Sequence, residues 1–136
     1  MINKLESPEF PITAGLPQGS PRSLILFLLY IDELFRITDK LGQWIHTIGF
    51  VDDLNLLAYN KNTEQNYANL SQIDQQYKEW ARRHSIQFAP HKYELIHFTV
   101  ARKRYNLQAL IRVGRAEKLP STEVQVLGIW LDLKLK

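Results

Sequence analysis

Cysteine is absent from this chain of 136 residues, and several further shortages each exclude a class of protein. Without thiols, neither a disulfide framework nor a thiolate metal site can form, which is compatible with a reducing, intracellular compartment. The N-terminus lacks the basic and then apolar pattern of a secretion signal. The longest apolar run, Leu24 to Ile31, has eight residues, whereas a membrane-spanning helix needs roughly 20. The sequence therefore predicts neither a secreted nor a membrane protein.

Charge is unevenly distributed along a chain whose length suits a single domain. Residues 1–80 carry six Lys or Arg against ten Asp or Glu, whereas residues 81–118 carry nine against two. An acidic region followed by a basic one fits a protein that holds cations and also touches a polyanion. A solvated basic loop explains the second region equally well.

The central stretch of the chain reads as two strands interrupted only by adjacent carboxylates, Asp52 and Asp53. Residues 44–49 and 54–59 are rich in β-branched, aromatic and other apolar side chains, which favours a hairpin. Adjacent carboxylates repel each other and are costly to bury, so a turn reached by water or by a cation suits them. Oxygen ligands favour a hard divalent cation such as Mg²⁺. The alternative is an ordinary polar turn.

Two helices flank this hairpin in the predicted order of elements. The first begins at Pro21, with Ser20 as a hydroxyl N-cap, and ends near Leu41 before Gly42. Its first half is apolar on nearly all sides, so we expect that half to be the most buried part of the domain. The second helix covers residues 63–84, where apolar residues recur every three or four positions.

Further strands are predicted over residues 94–100, 109–113 and 124–132. Together these elements predict an α+β fold, with two helices covering one face of a mainly antiparallel sheet. The three tryptophans are expected in the core more often than on a stacking surface.

Four stretches resemble, in the same order, the motifs of the reverse transcriptase family. They are GLPQGSP at residues 15–21, FVDD at 50–53, FAPHKYEL at 88–95 and VLGIWLD at 126–132. The resemblance is to the palm of the non-LTR (LINE-type) retrotransposon enzymes, and it covers residues 12–132. It implies an RNA-directed DNA polymerase that acts on an RNA template, a DNA primer and a deoxynucleoside triphosphate.

The resemblance also implies roles for particular residues. Asp52 is expected as a direct ligand in a two-Mg²⁺ site and Asp53 as a weaker or indirect one, while Lys92 is a candidate proton donor or phosphate partner. Nucleotide and template contacts are expected from Gly15, Pro17, Gln18, Gly19, Ser20 and Phe50. Contacts with the nucleic-acid backbone are expected from Arg102, Lys103, Arg104, Arg112 and Arg115.

The chain departs from the family pattern in two ways. Arg22 and Leu24 stand where the family usually has leucine and proline. The family's further aspartate, which precedes the first motif, is also lacking among residues 1–14. We therefore expect residues 1–136 to be a partial domain without fingers, first aspartate strand or thumb, inactive alone unless the missing polymerase segments are supplied in trans. The alternatives are a non-catalytic remnant that binds nucleic acid or protein, and a truncated product without a role.

Overall fold

The structure, a computed structural model, describes residue 15 and residues 19–99, 105–113 and 116–135. The described part contains two long helices and three β-hairpins, which confirms the α+β class, although the strands form three two-stranded antiparallel sheets. The elements are α1 (Pro21–Lys40), β1 (Ile45–Phe50), β2 (Asp53–Ala58), α2 (Thr63–Arg83), β3 (Ile111–Val113), β4 (Ala116–Lys118), β5 (Glu123–Val126) and β6 (Ile129–Asp132). One turn of 3₁₀ helix covers Pro90–Lys92.

Helix α1 begins and ends where its sequence predicts. Pro21 occupies the first helical position, where the missing N–H costs nothing. Leu41 is the C-cap, and Gly42 follows with φ of 99°, a left-handed conformation that glycine adopts readily. Ser20 takes the N-cap position, but its side chain accepts no hydrogen bond there, so the expected hydroxyl cap is not formed.

The burial of α1 is the reverse of the prediction. Its second half supplies the buried residues Ile31, Leu34 and Thr38, because this half lies against the first hairpin and α2. The first half exposes six large apolar side chains by 38–69%, namely Leu24, Ile25, Leu26, Leu28, Leu29 and Tyr30. An apolar composition shows that a helical segment favours burial. Whether another element covers that segment depends on the tertiary structure.

Helix α2 has the amphipathic character that its periodicity predicts. Asn62 is its N-cap, and the side-chain oxygen accepts a hydrogen bond from the Gln65 amide at 2.8 Å. Ile73, Tyr77 and Trp80 are buried on one face. This face packs on α1 and the first hairpin and completes the main hydrophobic core.

The first hairpin pairs β1 with β2 in register from Ile45 opposite Ala58 to Phe50 opposite Asp53. Side chains alternate between the two faces of a strand. Thr47 and Gly49 of β1 therefore share the inner face, towards the helices, with Leu54 and Leu56 of β2. The opposite face points away from the core and includes Phe50.

Three hydroxyl groups meet where α1, β1 and α2 converge. The Thr38 Oγ1 lies 2.6 Å from Thr47 Oγ1 and 2.9 Å from the Tyr77 hydroxyl oxygen, which is itself 2.8 Å from Thr47 Oγ1. The Tyr77 hydroxyl donates to the Leu34 carbonyl at 3.0 Å, and the Thr38 hydroxyl lies 3.2 Å from the same oxygen as a second donor. In the contacts among the three hydroxyls, either oxygen can be the donor. Burial raises the pKa of Tyr77, and the two threonine hydrogen bonds oppose that rise. The phenol therefore stays neutral and joins the three elements through shared hydrogen bonds.

The C-terminal third differs most from the prediction. The strand predicted over 94–100 is wrong for the described residues 94–99, which make only one parallel bridge, between Ile96 and Ser121. The predicted strand 109–113 is present as the shorter β3, which pairs with the unpredicted β4. The strand predicted over 124–132 is the hairpin β5–β6, because Leu127 and Gly128 both adopt positive φ, of 51° and 83°. Two consecutive positive φ values produce the tight turn that suits a two-residue hairpin.

Replacing Tyr77 by phenylalanine tests the contribution of the hydroxyl cluster to stability. We expect Tyr77→Phe to lower the free energy of unfolding by about 1–3 kcal/mol, because it removes one hydroxyl and leaves buried partners incompletely satisfied. Urea denaturation followed by far-UV circular dichroism measures this change.

Tyr93→Phe is the matched control, because Tyr93 is half-buried and no described residue makes a hydrogen bond to its hydroxyl. We expect this variant to stay within about 0.5 kcal/mol of the wild type. Equal losses in the two variants would show that the cluster contributes nothing beyond packing.

Candidate functional site

The two adjacent carboxylates lie at the tip of the first hairpin. Val51 and Asp52 form the two-residue turn, and Asp53 is the first residue of β2, opposite Phe50. Both carboxylates belong to exposed residues, and no described Lys, Arg or His forms an ion pair with either of them. Their charge is therefore left for water or for a bound cation.

The turn contains an unusual backbone conformation. Val51 has φ of 53°, in the left-handed region. A β-branched residue rarely adopts this region, because its Cβ crowds the neighbouring carbonyl. Such conformations cost of the order of 1–3 kcal/mol and persist where the surrounding structure fixes them. The direction of the residue that follows, Asp52, depends on this strained position.

Aromatic side chains stabilise the other end of the hairpin. The Tyr59 amide donates to the Trp44 carbonyl at 3.0 Å, and the rings of His46 and Tyr59 stack with centroids 5.5 Å apart. The Tyr59 hydroxyl donates to the Gln43 carbonyl and lies 3.1 Å from His46 Nε2. The end of the hairpin opposite the turn is thus held by contacts of Tyr59 that no local signal in the sequence indicates.

The donor chemistry of the turn fits a hard divalent cation. Mg²⁺ is commonly held by one or two carboxylates, with waters and substrate phosphates completing its octahedron. Asp52 and Asp53 supply such carboxylates. Across the described ranges, no three His, Asp or Glu side chains form a group that could enclose a metal by themselves. The turn therefore offers two carboxylate donors, and no third joins them among the described residues.

The glycine-rich loop before α1 is only partly described. Gly15 and Gly19 have φ of 93° and 88°, and both are exposed. A Cβ at either position would meet no atom within 4 Å. These glycines are therefore needed for backbone conformation and leave the main chain uncovered. Two predicted contact residues, Pro17 and Gln18, lie outside the described residues.

Lys92 ends the short 3₁₀ turn and is exposed. Within the described part of the chain, no hydrogen bond or ion pair joins it to Asp52 or Asp53. The neighbouring His91 carbonyl accepts a hydrogen bond from Lys118 Nζ at 3.1 Å, which ties this turn to β4. The described contacts therefore do not bring Lys92 to the two carboxylates.

Arg112 is the one predicted backbone-binding residue that the described ranges include. It is exposed in β3, and its Nη2 lies 2.8 Å from Glu117 Oε1. Arg102, Lys103, Arg104 and Arg115 lie outside the described residues. Arg112 also lines a shallow cavity of about 400 Å³ with four residues of α2, namely Ser71, Asp74, Gln75 and Lys78. Lys78 is a basic neighbour of Arg112 that no sequence motif indicates, because it lies on the polar face of a different element.

The tryptophans divide between core and surface. Trp80 is 1% exposed, and its Nε1 donates to Glu33 Oε2 at 2.9 Å. Trp44 and Trp130 are 42% and 59% exposed, so the expectation of core positions is wrong for both. Trp130 belongs to β6, within the stretch that resembles a reverse transcriptase motif. An exposed indole at that position is available for contact with a partner.

Comparison with known proteins gave one match. The model of the family described as reverse transcriptase (RNA-dependent DNA polymerase) matches residues 1–131. No match was found among curated proteins or among solved structures. Neither described helix combines the length and hydropathy needed to span a bilayer.

Proposed function

Because the chain belongs to the reverse transcriptase (RNA-dependent DNA polymerase) family, we propose that its first hairpin carries part of a site for template-directed nucleotidyl transfer. The supporting observation is the turn itself, which exposes Asp52 and Asp53 side by side without an ion-pair partner among the described residues. The motif forms favour the palm of a non-LTR (LINE-type) enzyme. The partners are then an RNA template, a DNA primer and a deoxynucleoside triphosphate.

In this proposal Asp52 is a direct Mg²⁺ ligand and Asp53 a weaker or indirect one. When bound, two such ions stabilise the attacking and leaving oxygens of phosphoryl transfer. Directly opposite residues of an antiparallel pair share one face, so Asp53 and the exposed Phe50 lie on the same side of the hairpin. The Phe50 ring is 60% exposed there and offers an apolar contact beside the carboxylate.

The remaining assignments follow the motif positions. Gly15, Gly19 and Ser20, with Pro17 and Gln18, contact the nascent base pair through a loop whose described glycines leave the backbone uncovered. Lys92 is the candidate proton donor or phosphate partner. Arg112 contacts the nucleic-acid backbone, together with Arg102, Lys103, Arg104 and Arg115.

The ligand set limits what this chain does alone. Two neighbouring carboxylates on one turn do not suffice to hold two cations in a reactive arrangement, and no third ligand joins them in the described ranges. We therefore propose a polymerase fragment that binds metal weakly and needs further polymerase segments for catalysis.

Manganese binding tests the assignment of the turn. We expect Mn²⁺ titrated into ¹⁵N-labelled chain to broaden the amide resonances around Asp52 and Asp53 first, because paired carboxylates attract the cation. The double variant Asp52→Asn, Asp53→Asn should lose this effect, whereas Asp39→Asn, on exposed α1 surface, should keep it. Uniform broadening at all acidic residues would refute the assignment.

Primer extension tests the limit on activity. The chain alone should incorporate no nucleotide on a primed RNA template with either Mg²⁺ or Mn²⁺, because no third ligand joins Asp52 and Asp53 among the described residues. Denaturing gel electrophoresis of a labelled primer measures the outcome. Template-dependent extension that disappears in Asp52→Ala would contradict this limit and show an active enzyme.

Salt dependence tests the contact with nucleic acid. We expect weak binding that fades as salt rises, with a slope of log affinity against log salt of roughly −0.7 to −0.9 per phosphate contact. Arg112→Ala should reduce that slope by about one contact, whereas Arg112→Lys retains the charge and should keep it. Fluorescence anisotropy with a labelled oligonucleotide measures both. An affinity that is equal at low and high salt would exclude backbone binding.

A further inference from the structure

Helix α1 comes unusually close to β1 just below the aspartate turn. A Cβ added at Gly49 would lie 2.6 Å from Phe35 Cζ and 3.2 Å from Leu54 Cδ2. Real Cβ atoms essentially never approach another atom to 2.6 Å. The Phe35 ring therefore occupies the space that any side chain at position 49 would need. Gly49 has no positive φ, so the observation that favours glycine here is the close approach of Phe35 and not the backbone conformation.

The same helix also holds β1 at the preceding inward-facing position. Thr38 lies three residues after Phe35 and bonds Thr47 at 2.6 Å. Residues three apart on a helix share a face, as residues two apart do on a strand. Helix α1 thus holds β1 at two consecutive inward positions, and the second of these, Gly49, lies two residues before Val51.

This support coincides with the strained residue of the site. Val51 has φ of 53°, and such a conformation persists only where the surroundings determine it. On the β2 side, Leu54 pairs with Gly49, contacts the core and directly follows Asp53. Both strands that enter the turn are therefore fixed at the level of Gly49.

We propose that the Phe35–Gly49 contact is a positioning device for the aspartate turn. It holds Val51 in its left-handed conformation and so sets the direction in which Asp52 and Asp53 present their carboxylates. This role rests on the proposed function of the two aspartates as metal ligands. Phe35 and Gly49 touch no substrate in this scheme and act only through the turn.

The packing of Phe35 against Gly49 predicts the effect of substitutions at either residue. Phe35 Cζ is the far end of a ring, so a methyl group at position 49 displaces either the ring or the whole helix. Either movement removes the support from below the turn. Shortening Phe35 to leucine leaves a gap with the same consequence. In the double variant, the alanine Cβ occupies the space that the ring vacates.

The experiment compares Gly49→Ala, Phe35→Leu, the double variant and the control Ile45→Val. Ile45 is buried at the opposite end of β1, so this control loosens the core away from the turn. Three quantities are measured in the full chain: the melting temperature, the Mn²⁺ affinity of the turn, and the HN–Hα coupling and Cβ shift of Val51, which report φ.

We expect each single variant at the contact to change the Val51 signals and weaken Mn²⁺ binding by about tenfold, the size found for residues that orient metal ligands. The double variant should recover most of both losses, since contacting residues do not act additively. Ile45→Val should lower the melting temperature yet leave the Val51 signals and the affinity unchanged.

Folded single variants with wild-type Val51 signals and Mn²⁺ affinity would overturn the inference. The same changes in Ile45→Val would also overturn it, by showing a general loss of stability. If Gly49→Ala does not fold, Phe35→Leu and the double variant decide the matter. If the wild-type chain binds no Mn²⁺ at the turn, the proposed function is refuted. This result differs from failure of the positioning role, which appears only when the variants are compared with the wild type.

Discussion

The hydrogen bonds among Thr38, Thr47 and Tyr77 determine how the two helices and the first hairpin fit together. Apolar contacts drive burial but specify direction poorly, whereas hydroxyl groups must meet partners at defined distances and angles. Here three elements contribute one hydroxyl each, and the Leu34 carbonyl accepts from the phenol. A shift of any element by a fraction of a turn would leave buried polar atoms without partners, at a cost that few packing gains offset. The orientation of the hairpin, and hence of its tip, follows from this junction.

The site and its support differ in charge. The junction and the Phe35–Gly49 contact are uncharged, and in the described part of the chain the ion pairs lie on the helices and on β3–β4. Asp52 and Asp53 are therefore held by packing and hydroxyl groups while their negative charge stays uncompensated by the described residues. A Lys or Arg side chain beside the turn would also have fixed it. Its positive charge would, however, have lowered the attraction of the two carboxylates for a metal ion. With uncharged contacts below the turn, the carboxylates of Asp52 and Asp53 are positioned without any loss of their negative charge.

The sequence predicts the elements that depend on neighbouring residues. It does not predict the features that depend on contacts between residues far apart in the chain. The aspartate hairpin, the ends of α1 at Pro21 and Lys40, and the buried face of α2 all follow from local signals. The expected strand at 94–100 is mostly absent because a strand exists only where another offers its edge, and the described residues supply one bridge. The apolar first half of α1 is likewise exposed because no element of the described residues covers it.

Residues that matter at the site were missed where their types are ordinary. Thr38, Thr47 and Tyr77 are common in helices and strands, and nothing in their spacing indicates a meeting point. The sequence predicts Gly49 only as part of a strand, since the position of Phe35 alone shows what a side chain there would meet. The left-handed Val51 was equally invisible, because valine is among the residues least suited to it. The metal-ligand candidates themselves, in contrast, were identified from residue type and adjacency alone.

The course of α1 past its neighbours has a dynamic consequence. Its contacts run antiparallel to α2, with Thr38 beside Tyr77 and Tyr30 beside Trp80, so the turns before Tyr30 extend beyond the end of the helix pair. Isolated helices of that length are marginal in water, and those turns remain helical chiefly because they continue an anchored segment. Within α1, amide hydrogens should exchange first in these turns, with fraying that starts at Pro21 and stops where Ile31 enters the core. Helix α1, to which we assign the positioning of the aspartate turn, is thus well packed towards its C-terminal end and weakly supported at its N-terminal end.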